Sequence, residues 1–243
     1  MTIFKGEIEV EDFRKAIEGI CNLSFEPLMM IREDGIHFKE ISRGSIYMEL
    51  DIHKDNFQRY EYEGDMDITL SGTLFLRAIR TIKGALLIRT DGDKIRIKES
   101  DSSKIYEFAL LVNDTTREFP KTLPEGGLSK IIPTEIFKEM LSGADSIYSS
   151  SDNKKVLFKV GDGITFHAGT YDNIAKFIYK VSKDKIDEEF VLAYDLDFIK
   201  HVTVVLTSET ITVGFRKDYP LLIEFDGEAI KGKFIVAPIE EGD

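Results

Sequence analysis

The chain has 243 residues, 42% of them hydrophobic, a single cysteine and a formal net charge of −12. That length suits one large domain or two of about 120 residues, and the lone Cys21 excludes an internal disulfide and any cysteine-rich zinc site, which fits a reducing intracellular compartment. No apolar run approaches the ~18 residues of a membrane span and Met1-Thr2-Ile3-Phe4-Lys5-Gly6 lacks the apolar stretch of a signal peptide, so a cytoplasmic setting is the expectation.

In chain order, residues 4–9 read as a strand and 10–20 as a helix. The helix sets Phe13, Ala16, Ile17 and Ile20 on one face, with Arg14, Lys15 and Glu18 elsewhere. β-rich runs follow at 28–32, 36–41, 46–50 and 65–70. A second helix over 71–82 sets Phe75, Leu76, Ile79 and Ile82 against a polar stripe of Thr73, Arg77 and Arg80. Strands are expected at 85–89, 94–98 and 104–112. Asn113 to Gly127, with two prolines and two glycines, is the candidate linker, its apolar Phe119 and Leu123 serving to staple it to a sheet or to meet a partner. A third helix over 133–144 opens on Pro133, and a fourth covers 194–203 with Leu196, Ile199 and Val202 against Lys200. The remaining strands fall at 156–160, 164–168, 174–181, 189–193, 204–206, 211–215, 221–225 and 233–237. Asp34-Gly35, Asp91-Gly92 and Asp162-Gly163 sit where tight hairpins need a positive φ.

The two halves read alike. Asp34-Gly35-Ile36-His37-Phe38 returns 128 positions later as Asp162-Gly163-Ile164-Thr165-Phe166, and Phe13-Arg14-Lys15 is echoed 124 positions later by Phe137-Lys138-Glu139. Leu74-Phe75-Leu76-Arg77 likewise matches Asp197-Phe198-Ile199-Lys200. Recurrence in one order at nearly constant offset indicates a duplicated domain rather than a short-period solenoid. The expected fold is α+β: domains at 1–112 and 128–243, joined by 113–127, each with two helices packed on one face of a β-sheet.

Chemical motifs are few. Asp91-Gly92-Asp93 lacks the other ligands of a calcium loop and reads as a turn. His37, His53, His167 and His201 show no zinc-site spacing. Gly126-Gly127-Leu128-Ser129-Lys130 lacks the first glycine and the ending of a phosphate loop, and Cys21 has no sequence-adjacent partner that would make it a nucleophile. No catalytic constellation, metal site or cofactor motif emerges, so the chain is read as not an enzyme. The overall acidity argues against a nucleic-acid partner unless the 32 basic residues are gathered on one surface. Arg14, Lys15, Arg77, Arg80, Lys83, Lys138 and Lys200 all fall on or beside the four helices, so a basic helix face backed by an acidic outer sheet is the expectation.

At this point the residues resemble a known family. Asp218-Tyr219-Pro220-Leu221, followed by Phe234-Ile235-Val236-Ala237-Pro238, is similar to the closing segments of sliding clamps of the proliferating cell nuclear antigen (PCNA) family. Asp34-Gly35-Ile36 and Arg77-Ala78-Ile79-Arg80 also match, and the resemblance runs over essentially the whole chain. It implies a ring of three subunits and six domains whose helices surround duplex DNA, acting as a polymerase processivity factor in replication and repair. It further implies DNA-facing roles for the seven helix cations named above. By resemblance, a partner-peptide pocket is formed by Ile41, Ile46, Met48, Phe119, Leu123, Pro124, Pro220, Ile235, Ala237 and Pro238. Subunit contacts would use Lys104, Tyr106, Phe108 and Leu110 of one chain and Ile174, Lys176, Ile178 and Lys180 of the next. Expected partners are DNA, polymerase, a clamp loader and other replication or repair proteins, in a homotrimer or in a heterotrimer with paralogous chains. An intracellular enzyme of unrecognised chemistry is the reading from another class. Glu40-Ile41-Ser42-Arg43-Gly44-Ser45 and the two-proline linker depart from the family pattern and leave partner preference open.

Overall fold

The structure, a computed structural model, describes residues 4–42, 45–111, 127–149, 153–170 and 174–239. They fall into two compact units, the first drawn from 4–42, 47–111 and 226–233 and the second from 45–46, 127–225 and 234–239. The linker residues Phe119, Leu123 and Pro124 lie outside the described residues.

The first unit begins with β1 (Phe4–Glu9), whose alternating burial turns directly into α1 (Val10–Leu23). Phe13, Ala16, Ile17 and Ile20 of α1 are fully buried, one stripe at helical spacing. Strands β2 (Leu28–Ile31), β3 (Gly35–Ser42), β4 (Ile46–His53), β5 (Phe57–Tyr62) and β6 (Met66–Thr69) follow, then α2 (Gly72–Ile79), β7 (Ala85–Thr90), β8 (Lys94–Glu99) and β9 (Ile105–Ala109). One sheet has the order β5-β1-β7-β8-β9, and β4-β3-β2-β6 make a second layer. Phe13 joins them to the helices, edge-on to Phe38 and Phe75 at 6.2 and 6.4 Å.

The second unit repeats the scheme with β10 (Leu128–Pro133), α3 (Thr134–Asp145), β11 (Lys155–Gly161), β12 (Gly163–Gly169), β13 (Lys176–Ser182), β14 (Phe190–Asp195), α4 (Leu196–Val202), β15 (Thr210–Phe215), β16 (Leu221–Asp226) and β17 (Lys231–Val236). Its strands are ordered β13-β12-β11-β14 in one sheet and β10-β15-β16-β17 along part of another. Phe158 anchors the core against Phe166, Tyr194 and Phe215 at 5.0–6.1 Å. The β11–β12 turn closes on Gly163, φ +96°, and the β7–β8 turn on Gly92, φ +99°, the backbone region in which glycine carries no Cβ penalty.

Three sequence expectations are corrected. Residues 204–206 are not a strand: Val205 and Leu206 are buried in the turn that closes α4, where Val205 N donates to Val202 O. Tyr194 lies within β14 rather than opening α4, and Asp195, the last residue of that strand, caps the helix by accepting from Asp197 N at 2.8 Å. Pro133 ends β10 at the N-cap position instead of forming the first helical turn. Strands β5 and β10 are additions to the pattern expected from sequence, since Gln58, Arg59 and Glu61 stand exposed along β5 and break the apolar alternation.

Candidate nucleic-acid interface

In the first unit α1 and α2 pack against each other, and their remaining surface carries the cations. On α2 the apolar Phe75, Ala78 and Ile79 turn inward, leaving Thr73, Leu74, Arg77 and Arg80 exposed at helical spacing, with Lys83 exposed just beyond. No acidic residue occurs between Ser71 and Lys83. Arg80 Nε lies 3.0 Å from Glu18 Oε1 of α1, with the Arg80 side chain 58% exposed. Arg77 and Lys83 have no ion-pair partner among the described residues.

Arg14 is different. Its Nη2 donates to Ile82 O at 2.7 Å, its Nη1 to Glu11 Oε2 at 2.8 Å, and its Nε is buried. It staples α1 to the end of α2, and little of its charge reaches the surface. Lys15 sits 3.9 Å from Asp12.

The second unit's helix cations are more fully neutralised. Lys138 Nζ lies 3.1 Å from Glu135 Oε1. Lys200 Nζ donates to Asp145 Oδ2 at 2.6 Å, and Lys154 bridges Asp145 and Asp197 at 2.9 and 3.2 Å. Asp145, held between Lys200 and Lys154, has its pKa lowered from the ordinary carboxylate value by those two hydrogen bonds.

The remaining expected sites are placed as follows. Strands β9 and β13 are each the last strand of their sheet. Tyr106, Phe108 and Leu110 are half-buried: Phe108 meets Phe75 edge-on at 5.4 Å, and Tyr106 Oη lies 2.7 Å from Thr81 Oγ1, so this side of β9 faces α2. Lys104 lies over the Tyr106 ring. On β13 the alternation is reversed: Lys176, Ile178 and Lys180 are exposed, while Phe177 and Tyr179 turn inward. Ile174 is 85% exposed. Among the expected pocket residues Ile41, Pro220, Ala237 and Pro238 are half-exposed, whereas Ile46, Met48 and Ile235 are buried. Ala237 N donates to Ser45 O at 2.8 Å and fixes the closing segment. Leu74, 52% exposed beside Arg77, escapes a reading of the sequence alone because it shares the apolar run Leu74-Phe75-Leu76.

Burial pushes the Cys21 thiol up to about 12, so the thiolate is essentially absent at neutral pH. Among the described residues no group of three His, Cys, Asp or Glu could hold a metal ion, and no helix is long and apolar enough to cross a membrane.

Known proteins are similar to this chain in sequence and fold. The chain is 25% identical to the DNA polymerase sliding clamp of Thermoplasma volcanium, over 97% of this chain and 98% of that one. The corresponding clamp of Methanococcus vannielii is 23% identical with the same coverage. Among solved structures it superposes on A. fulgidus PCNA, which carries the bound C-terminal region of FEN-1, at a TM-score of 0.83 and 20% identity, covering 99% of this chain and all of that one. The chain has the sliding-clamp fold. PCNA from Thermococcus kodakaraensis gives a TM-score of 0.81 at 16% identity, covering 97% of this chain and all of that one. A chain of the PCNA2–PCNA3 complex from Sulfolobus tokodaii gives 0.79 at 14%, covering 96% and 98%. No protein-family profile matches. The clamp fold accounts for the duplicated helix-and-sheet units, and it spans the chain from end to end.

Proposed function

We propose that the chain is a DNA sliding clamp, a processivity factor that encircles duplex DNA without reading its sequence and tethers polymerase and other replication or repair proteins to it. The observation that carries this is α2, whose exposed Arg77, Arg80 and Lys83 meet no acid on their own element in a protein of net charge −12 with the clamp fold along its whole length. Cations on helix surfaces contact phosphates without reaching base edges, so such contact positions DNA but does not specify it. Lys15, Lys138 and Lys200 supplement α2, and Arg14 acts as a staple with a minor share of the contact. The role is binding and enclosure in the cytoplasm; it asks for no reaction and no cofactor.

The proposed organisation is an N-terminal clamp domain over 1–112, a connecting linker over 113–127 and a C-terminal clamp domain over 128–243. An unpaired sheet edge is a template for another strand, so the terminal strands β9 and β13 are the proposed seams between subunits. Lys104, Tyr106, Phe108 and Leu110 would meet Ile174, Lys176, Ile178 and Lys180 of the next subunit. The proposed partner-peptide pocket takes Ile41, Phe119, Leu123, Pro124, Pro220, Ala237 and Pro238 as its surface, over Ile46, Met48 and Ile235. A few apolar anchors there would hold a short helical peptide.

Light scattering across a concentration series tests the assembly. A mass of about 83 kDa, three times the 27.7 kDa chain, is the expected result. A persistent single-chain mass would mean that the ring needs paralogous subunits, and mixing with those chains would then restore the trimer mass.

A further inference from the structure

The four-stranded sheet of the second unit has two faces of opposite character, and strand register fixes which residues stand on each. Val156, Ala168 and Phe177 form one row across β11, β12 and β13, and Phe158, Phe166 and Tyr179 form another. These rows face α3: a Cβ added at Gly143 of that helix would come within 2.6 Å of the Phe177 ring. Alternate residues point the opposite way. On that side Leu157, His167 and Ile178 make a middle row, with Lys159, Thr165 and Lys180 along one flank and Lys155, Gly169 and Lys176 along the other. The expectation of an acidic outer sheet fails here.

Four lysines therefore stand at the corners of a patch about 13 Å by about 10 Å, from four residues along a strand and two strand spacings across. Against three of them lies a shallow concavity of about 400 Å³, lined among others by Lys155, Leu157, Lys159, His167 and Lys176. Lys159, Lys176 and Lys180 have no ion-pair partner among the described residues. Among the described residues the acids nearby are at the margins: Asp195 lies opposite Lys155 on β14, and Asp162 and Glu189 lie near the turn beyond Lys159. His167 Nε2 lies 2.8 Å from Thr165 Oγ1, and its Nδ1 is buried without a partner among the described residues. Burial, then Lys159 and Lys176, lower the His167 pKa, so the positive charge comes from the lysines alone.

The middle of the patch is apolar: Ile178 is 53% exposed, and the neighbouring Val191 55%. No Phe, Tyr or Trp stands in these rows, so among the described residues the face lacks the stacking platform on which single-stranded nucleic acid binds. Basic flanks around an apolar middle complement a polypeptide that is acidic at both ends of a short stretch. An extended segment presents every second side chain to one surface. An acid, an apolar residue and a second acid at positions i, i+2 and i+4 would then meet one lysine row, the Leu157–Ile178 row and the other lysine row.

The geometry points to this face as a docking surface for an acidic partner segment of that pattern, separate from the peptide pocket proposed above. The substitutions that test it avoid the edge proposed for subunit pairing, because Lys155 and Lys159 lie on β11, two strands in from β13, whose Lys176, Ile178 and Lys180 border both surfaces.

The test is fluorescence anisotropy at about 50 mM salt, where exposed charges are least screened, with a short labelled peptide carrying glutamate, leucine and glutamate at alternate positions. The wild-type protein should bind it saturably, and Lys155→Glu/Lys159→Glu should weaken binding at least about tenfold as two attractions become repulsions. Leu157→Ser should weaken it about threefold, by removing apolar surface from the middle row. Light scattering and thermal melting of each variant should match the wild type, which separates loss of docking from loss of the ring or of the fold. No binding by the wild type, or equal binding by the double variant, overturns the inference. So does a single-stranded oligonucleotide that binds more tightly than the peptide and fails to bind the same variant, which would assign the face to phosphate instead.

Discussion

In the first unit, α2 and its flanks carry Arg77, Arg80 and Lys83 with no acidic residue between 71 and 83; in the second, α3 sets Lys138 among Glu135, Glu139 and Asp145. Lys200 of α4 is tied to Asp145, whereas Arg77 meets no acid among the described residues. The two pairs of helices occupy equivalent places in a duplicated fold and bury equivalent stripes, yet their outward faces have diverged. Burial constrains one side of a helix, and nothing in the fold constrains the charge on the other. The cation-rich face of the first unit is thus the part of the helix surface whose attraction for phosphate is least cancelled within the chain.

The largest expected effect follows from that contrast. Arg77→Glu/Arg80→Glu should shorten retention on nicked circular DNA at least about tenfold at roughly 100 mM salt, since every phosphate left unneutralised keeps its condensed counterions and their release no longer favours binding. Lys138→Glu/Lys200→Glu, in the same assay, should change retention by less than about threefold. Equal effects from the two pairs would show that the neutralised helices of the second unit carry as much of the attraction for DNA as α2. Unchanged retention in the first pair would place α2 away from DNA.

A second contrast concerns how each helix is seated. Gly72 opens α2 where an added Cβ would lie 2.7 Å from Cys21 Sγ, 2.9 Å from Pro27 Cδ and 3.2 Å from the Phe25 carbonyl. At Gly143 of α3 the three nearest atoms all belong to the ring of Phe177, on a terminal strand. Gly72→Ala should therefore cost about 1–3 kcal/mol, as overpacking against atoms that cannot yield usually does. In Gly143→Ala the ring can swing aside, and the gain of up to about 1 kcal/mol in helix propensity offsets what strain remains. Denaturant melts of the two variants check this. A Gly143→Ala variant weaker than Gly72→Ala would mean that the Phe177 ring is as rigid as the first unit's loop backbone.

Much of this architecture was legible from residue pattern. Strand β1 and helix α1 show clean periods of two and 3.6, and the Asp-Gly pairs at 91–92 and 162–163 mark turns where glycine adopts positive φ. Strand β5 was not legible, because an exposed terminal strand such as Phe57-Gln58-Arg59-Tyr60-Glu61-Tyr62 has little buried side to impose alternation. Residues 204–206 misled for the converse reason, since an apolar run signals burial without stating which element is buried. At the candidate interface the sequence located the cations but not their partners. That Arg14 commits its guanidinium to Ile82 O, 68 positions away, is a tertiary fact. The lysine face depends on the register of three strands, so Lys155 and Lys176 become neighbours only once β12 lies between them.

The smallest expected effects are two responses to pH that run in opposite directions in the two units. His37 is held by Asp51 Oδ1 at 2.6 Å and by Asp34 Oδ1 at 3.0 Å, and its pKa is raised chiefly by the hydrogen bond to Asp51. A raised histidine pKa means that the folded state holds the proton more tightly than the unfolded chain. This contribution is fully present below the ordinary value of about 6.5 and is lost as pH rises through the raised one. Asp145 has a lowered pKa, so its contribution is present above the ordinary carboxylate value of about 4 and is lost as pH falls through the lowered one. His37→Gln should lower the melting temperature by roughly 1–3 °C near pH 6, a deficit that closes by about pH 9. Asp145→Asn should show a deficit of similar size near pH 7 that closes as the protein is acidified toward about pH 2.5. Melts of both variants and the wild type across that range decide the matter. Deficits that stay constant with pH would mean that the two clusters contribute packing alone, and that the divergence between the units is confined to their helix faces.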